Sequence, residues 1–132
     1  MGIIFVDDSI ATTPESSLAG AESFDKPLAV IAGGSTKGAD FADWAKGLAK
    51  SQVVMAALIG QEAPKMESAL KRFAPRIKRV RCSTLLSAVK ESYKALKGRA
   101  GVILLSPACA SFDMFQNFAE RGDRFKEIVR NM

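Results

Sequence analysis

The apolar residues of this 132-residue chain fall into short runs that alternate with segments of helical periodicity. Five runs predict β-strands, because each is short, mostly aliphatic and nearly free of polar residues. Such runs are expected where strands are covered on both faces of a sheet. The fourth run carries the weakest signal. The predicted strands span residues 3–6, 28–32, 53–59, 77–80 and 102–105.

Helices are predicted between the strands, because apolar residues recur there at helical spacing behind capping or helix-starting residues. The first helix is expected to run to about Phe24, and Trp44 lies on the apolar stripe of the second, which predicts a core position. The closing segment 112–129 has a mainly helical pattern, although Gly122 favours a break. The starting signals are Thr13 with Pro14, Asp40, Pro64 and Ser83.

The alternation of strands and helices predicts a three-layer α/β fold with a mostly parallel sheet and helices on both faces. A length of 132 residues with 48% hydrophobic residues suits one core, so residues 1–132 are expected to form a single domain. No apolar run approaches the roughly 18 residues that span a bilayer, and the start MGIIFVDDS lacks the pattern of a signal peptide. We therefore expect a cytoplasmic protein.

Histidine is absent from the chain. This absence excludes nucleophile pairs of serine or cysteine with histidine, and it removes the commonest zinc ligand. The two cysteines are predicted to be free thiols, because no secretory signal accompanies them. Cys109 has no histidine to form a thiolate, so packing as a small apolar residue is favoured over a nucleophilic role.

A basic stretch, residues 71–81, accounts for much of the net charge of +5. One interpretation is a nucleic-acid-binding surface. The other is a solvated helix end followed by a short edge strand, and the lack of interleaved aromatic residues and of a nucleic-acid-binding motif favours it. The stretch contains Lys71, Arg72, Arg76, Lys78, Arg79 and Arg81.

Ligands of parallel sheets bind at the carboxyl ends of the strands, so the loops that follow the strands are the candidate site. Three of these loops have unusual compositions. The first loop (residues 7–14) holds two carboxylates that helix capping does not require, and a carboxylate at a strand end often binds ribose hydroxyls. The second loop (residues 33–40) combines glycines with Lys37, which suits binding of a carboxylate or phosphate, although an exposed loop lysine is the alternative.

The second loop is not a P-loop, because its lysine precedes the last glycine, whereas that motif requires G-x-x-x-x-G-K-[ST]. In the third loop (residues 105–113), small residues allow an anion to approach backbone N–H groups, and Ser111 adds a hydroxyl donor. Capping is the alternative role of the serines. The three loops together predict a site for an anionic small molecule.

In their order and spacing, the segments DDSIATTP, GGSTKGADF and LLSPACASFDMFQNFAERGDRFK resemble the C-terminal domain of the Mur ligase family. The combination of SPACASFD with NFxxRGDxF is similar to the members that add D-glutamate. Other members have a histidine in the first loop, which this chain lacks. The resemblance covers essentially the whole chain and implies a Rossmann-like sheet.

The resemblance also implies a larger, three-domain ligase. Its N-terminal domain would bind the UDP-sugar, its central domain would carry the P-loop and the magnesium ligands, and this domain would bind D-glutamate and close over ATP. ATP would phosphorylate the carboxylate of UDP-N-acetylmuramoyl-L-alanine to an acyl phosphate. The amine of D-glutamate would then attack this acyl phosphate, and phosphate would leave as the amide forms. We expect no catalytic residue or magnesium ligand in this chain, which alone would be inactive, monomeric and without nucleic-acid or membrane partners.

By the same resemblance, Lys37 and Ser111 would hold the carboxylates of D-glutamate, with Thr12 and the backbone around Phe118 assisting. Asp8 would face the ribose of ATP. The first loop departs from the more frequent DSKATN at two positions, where Ile10 replaces the lysine and threonine replaces the asparagine. Ile10 cannot offer charge, so no site role is assigned to it.

Overall fold

Five parallel strands form a single sheet in the computed structural model, which describes residues 2–36, 38–111 and 113–132. The strands are β1 (Ile3–Asp7), β2 (Leu28–Gly33), β3 (Val53–Ile59), β4 (Lys78–Arg81) and β5 (Gly101–Leu105). Their order across the sheet is β1-β5-β2-β3-β4, and every neighbouring pair is parallel. The predicted α/β fold is confirmed, with a sheet that is parallel throughout.

Five helices follow the strands in alternation, as predicted. They are α1 (Pro14–Ala21), α2 (Ala42–Ala49), α3 (Ala63–Phe73), α4 (Leu85–Leu96) and α5 (Phe118–Arg130). In the part of the chain that the structure describes, no helix is long and apolar enough to cross a bilayer.

The helices cover the two faces of the sheet unequally. Helices α1, α2 and α3 pack on the face that includes Val30 and Leu58, whereas α4 and α5 pack on the face that includes Ile31 and Ile59. Alternate residues of each strand point to opposite faces, so continuous apolar runs were required for both layers. Trp44 is 1% exposed in the first of these layers, which confirms its predicted core position.

The first helix is shorter than predicted. Thr13 caps α1 as expected, but the helix ends at Ala21 and not near Phe24. The Ser23 N–H donates to the Gly20 carbonyl (3.1 Å), which closes the chain into a turn after the last helical residue. Local hydrogen bonding therefore ends the helix before its apolar pattern does.

Two predicted caps stand one residue too early. Asp40 precedes Phe41, the N-cap residue of α2, although its carboxylate still accepts from the Ala42 N–H (2.9 Å). Thr84, not Ser83, caps α4. In both cases the predicted helix start lies one residue before the observed N-cap residue.

The last helix begins later than predicted. Phe112, its predicted first residue, lies outside the described residues, and residues 113–117 form turns and bends before the helix. Asn117 caps α5 by accepting from the Glu120 N–H (2.9 Å). Gly122 lies within α5 and does not break it. Its lack of a side chain allows the helix to pack closely against the first loop.

Candidate functional site

Backbone hydrogen bonds join the first, second and third loops at the carboxyl end of the sheet. The Ala108 N–H of the third loop donates to the Ala11 carbonyl of the first loop (2.9 Å). Ser35 of the second loop and Ala110 of the third exchange two such bonds, each of 2.9 Å. The three loops that the sequence singled out therefore form one continuous surface.

Glycine permits this close approach in the second loop. Gly34 has a φ of 137°, in the region that glycine favours, and a Cβ there would overlap the Ala110 carbonyl oxygen. At Gly34 the close approach that glycine permits is therefore made to the third loop. Any other residue at Gly34 would separate the two loops.

A fourth loop (residues 60–62) also joins this surface, and the sequence did not single it out. The Glu62 N–H donates to the Gly34 carbonyl (2.9 Å), and the Thr36 hydroxyl donates to the Glu62 carboxylate (2.7 Å). The Gln61 N–H donates to Asp113 of the third loop (2.8 Å). The sequence does contain a signal for this loop, because Gly60 directly follows the buried strand β3.

Two predicted ligand-binding residues, Thr12 and Ser111, lie on the joined first and third loops. Thr12 is half-buried, and its N–H donates to the Ile10 carbonyl (2.8 Å). Ser111 is 2% exposed, and its carbonyl accepts from the Phe115 N–H (2.7 Å). Lys37, the predicted cation of the site, lies outside the described residues, although the flanking part of its loop belongs to the joined surface.

Phe118 is the first residue of α5 and is 45% exposed. It lines a cleft of about 240 Å³ between the first loop and α5. Ile10, which was given no site role, lies on the same cleft and is 69% exposed. Two large apolar side chains therefore face solvent at the edge of the candidate site.

Asp8, the predicted ribose partner, lies directly after β1. Its carboxylate accepts a hydrogen bond from the Ser106 hydroxyl (3.2 Å). Partial burial raises the pKa of Asp8 above its ordinary value, and the neighbouring charge of Asp7 raises it further, whereas the Ser106 hydrogen bond opposes both effects. The carboxylate is thus held at the strand end, beside the third loop.

Asp7 organises the first loop instead of facing solvent. Its carboxylate accepts from the Ser9 N–H (3.0 Å) and from the Ser9 hydroxyl, and it forms an ion pair with Lys126 of α5 (3.7 Å). A Cβ at Gly122 would lie 2.7 Å from the Asp7 carboxylate and nearer still to the Ser9 hydroxyl. The first loop is therefore packed tightly against α5.

Arg121 of α5 is a part of this region that sequence reasoning missed. It is 1% exposed, and its Nη2 donates to the Ser9 carbonyl (3.0 Å). Burial lowers the pKa of its guanidinium to about 10, so it remains charged at neutral pH. The signal was present, because Arg121 occupies a position on the buried stripe of α5 that includes Phe125 and Ile128.

Cys109 is fully buried in the third loop beside Met66 (Sγ–Sδ 4.0 Å). Both cysteines are free, and burial raises the pKa of the Cys109 thiol to about 12. A thiol with such a pKa forms almost no thiolate at neutral pH. The prediction of a packed small residue is confirmed.

The basic stretch is largely occupied by contacts within the protein. Arg76 donates five hydrogen bonds to four carbonyl groups in the last turn of α2, in the loop after it and at the start of β3, with distances of 2.6 to 3.2 Å. Arg79 donates to the Ile77 carbonyl (2.9 Å), and Arg81 pairs with Glu67 (3.3 Å). These contacts favour the structural interpretation of the stretch.

No group of three or more cysteine, aspartate and glutamate side chains that could hold a metal ion occurs within residues 2–36, 38–111 and 113–132.

Relatives of known name match nearly the whole chain, although no family model matches it. UDP-N-acetylmuramoylalanine--D-glutamate ligase of Desulfitobacterium hafniense is 41% identical over 129 residues, which cover 98% of this chain and 28% of the relative. The enzymes of the same name from Salinibacter ruber and Acetivibrio thermocellus are 39% and 42% identical over 98% and 99% of the chain. The chain spans between 27% and 29% of the length of these relatives. The resemblance of the loops is therefore confirmed, and the chain is homologous to the C-terminal domain of the D-glutamate-adding members of the Mur ligase family.

Proposed function

We propose that this chain is the D-glutamate-binding domain of a three-domain ligase that acts in peptidoglycan precursor synthesis. The observation that carries this proposal is the convergence of the first and third loops, which bear Thr12 and Ser111, at one edge of the sheet. The names of the relatives support the choice of D-glutamate and of the UDP-sugar acceptor. The chain is too small to contain the parts that such a reaction needs beyond this site.

In this proposal, D-glutamate is held through its two carboxylates. The hydroxyls of Ser111 and Thr12 donate hydrogen bonds, Lys37 supplies a cation, and the backbone around Phe118 adds N–H donors at the start of α5. Because all of these groups bind carboxylates, the amine remains free to attack. Positioning, not proton transfer, is the contribution of this domain, and no catalytic residue is assigned to it.

We further propose that the domain closes over ATP, with the Asp8 carboxylate accepting from the ribose hydroxyls. Asp8 fits this role because it lies at a strand end, where ribose partners are common in parallel sheets. ATP supplies the phosphoryl group that activates the acceptor carboxylate. The P-loop, the magnesium ligands and the acceptor site would belong to the N-terminal and central domains, so residues 1–132 alone would be an inactive, monomeric, cytoplasmic domain.

The affinity of the chain for D-glutamate tests the proposal, measured by titration of amide chemical shifts because weak binding is expected from an incomplete site. We expect Lys37→Ala to weaken binding by about tenfold, since a charged hydrogen bond is lost. Lys26→Ala is the matched control, because Lys26 is exposed and lies two residues before the amino end of β2, on the opposite edge of the sheet. Equal affinities for the wild type and Lys37→Ala would contradict the proposal.

A further inference from the structure

Arg121 is an unusual residue for a helix core. The buried residues of α5 are Arg121, Gly122, Phe125 and Ile128, so a guanidinium occupies a place where an aliphatic side chain would pack without cost. Its Nε and Nη1 are fully buried and have no hydrogen-bond partner among the residues that the structure describes. Removing such groups from water without a partner is expensive, so packing alone does not account for the arginine.

Two carboxylates lie near enough to Arg121 to influence its charge, but both are bound elsewhere. Asp7 accepts from Ser9 and pairs with Lys126, and Asp113 accepts from the Gln61 N–H (2.8 Å). Their charges raise the pKa of Arg121, although less than burial lowers it. The positive charge is therefore only partly compensated within the protein.

Among the described residues, the side chain of Arg121 donates one hydrogen bond, which places that charge beside the candidate site. Its partner, the Ser9 carbonyl, belongs to the first loop, between Asp8 and the turn that presents Thr12. Cys109 and Asp113, each two residues from Ser111 in the third loop, lie near enough to Arg121 to influence its pKa. Arg121 thus lies where the loops carrying the two proposed hydroxyl donors meet.

We propose that Arg121 is a positioning residue that fixes the first loop through Ser9 and supplies a buried positive charge which selects a ligand with two carboxylates. This inference rests on the proposed function, in which that ligand is D-glutamate. The guanidinium does not touch the ligand, because its unpartnered atoms are buried. Its charge acts through the low-dielectric interior, where Coulomb interactions are weakly screened.

The test compares D-glutamate with D-glutamine, which has the same size and one carboxylate fewer. In Arg121→Met, which keeps the length of the side chain without charge, we expect D-glutamate affinity to fall about tenfold and D-glutamine affinity to change less than about twofold. Arg121→Lys should retain most of the preference. Arg124→Met is the control, because Arg124 is an exposed cation of the same helix that pairs with Glu127 of that helix.

An equal loss of affinity for both amino acids in Arg121→Met would show a purely structural role and would overturn the inference, as would no loss for either. If Arg121→Met does not fold, Arg121→Gln replaces it in the comparison. Charge selection is also refuted if the wild-type protein binds D-glutamate and D-glutamine equally. The failures are distinguishable. Wild-type protein that does not bind D-glutamate overturns the proposed function together with this inference, whereas binding that ignores Arg121 overturns this inference alone.

Discussion

Two arginines at opposite ends of the sheet show how differently one residue type is used. Arg76, in the exposed basic stretch, donates five hydrogen bonds to backbone carbonyls. The side chain of Arg121 is buried and, within residues 2–36, 38–111 and 113–132, donates one. The exposed arginine is almost fully bonded and the buried one is not, which reverses the usual relation between burial and hydrogen bonding.

The hydrogen-bond partners of a charged side chain, and not its position in a charged cluster, therefore indicate its role. The basic stretch 71–81 is conspicuous in the sequence, yet Arg76 serves mainly to bind carbonyl groups at the end of α2 and the start of β3. Arg121 is inconspicuous in the sequence, and its Nε and Nη1 have no hydrogen-bond partner in the part of the chain that the structure describes. We therefore expect Arg76 to matter for stability and Arg121 for ligand binding.

The largest effect on stability is expected for Arg76→Met. Loss of the hydrogen bonds to carbonyls near Leu48 and Val53 should lower the free energy of unfolding by about 2 kcal/mol, measured by urea denaturation at neutral pH. Arg72→Met is the control, because Arg72 is exposed and its charge contacts only the ring of Phe73 among the contacts found in the described chain. A loss no greater than that of the control would refute the structural role of Arg76.

Gly122→Ala should have the next largest effect. Helix propensity alone predicts a gain of roughly 1 kcal/mol, but the new Cβ would collide with Asp7 and Ser9. We expect a net loss of about 1–2 kcal/mol in the same denaturation experiment. Ala119→Gly, at an exposed position in the first turn of α5, measures the local propensity. A stabilising Gly122→Ala would show that the first loop does not pack tightly against α5.

Arg121→Met should lower the free energy of unfolding by less than about 1 kcal/mol, or should raise it. The variant loses one hydrogen bond to Ser9 but also removes a buried charge with unpartnered atoms. A loss larger than that of Arg76→Met would reverse the comparison between the two arginines. Urea denaturation of both variants in one buffer provides the measurement.

The smallest effect is expected for Asp8→Asn, and it should depend on pH. Burial raises the pKa of Asp8 in the folded state above its ordinary value of 3.8, so ionisation opposes folding at neutral pH. The wild type regains this stability as the pH falls through the folded pKa towards 3.8. The variant should thus be more stable than the wild type at about pH 7, with the difference shrinking towards about pH 3. A difference that grows on acidification would contradict the raised pKa.

The sequence predicted the bounds of an element well where residues within that element alone determine them. The strand at residues 53–59 was predicted with its observed bounds, because a continuous apolar run requires no information from elsewhere in the chain. The late start of α5 could not be predicted from periodicity, because it depends on capping by Asn117. The apolar pattern favoured an earlier helix start, whereas the hydrogen bond of the Asn117 cap sets the observed one. The pattern alone does not show where the cap lies.

The candidate site was predicted in part for a related reason. The three loops have compositions that stand out, whereas the contributions of Arg121 and Glu62 arise from contacts between distant residues. Arg121 meets Ser9 across 112 positions, and Thr36 meets Glu62 across 26. Such pairings depend on the order of strands in the sheet, which the sequence of elements does not specify. Lys37 remains a prediction based on its loop and on the family.

The central claim is that the joined loops form one site for D-glutamate, and a map of amide chemical shifts tests it most directly. Isotopically labelled protein is titrated with D-glutamate and, separately, with L-glutamate. We expect saturable changes in the amide chemical shifts of Thr12, Ser111 and Phe118 with D-glutamate, and clearly weaker changes with L-glutamate. Shifts that are absent from these loops, or that are the same for both enantiomers, would contradict it.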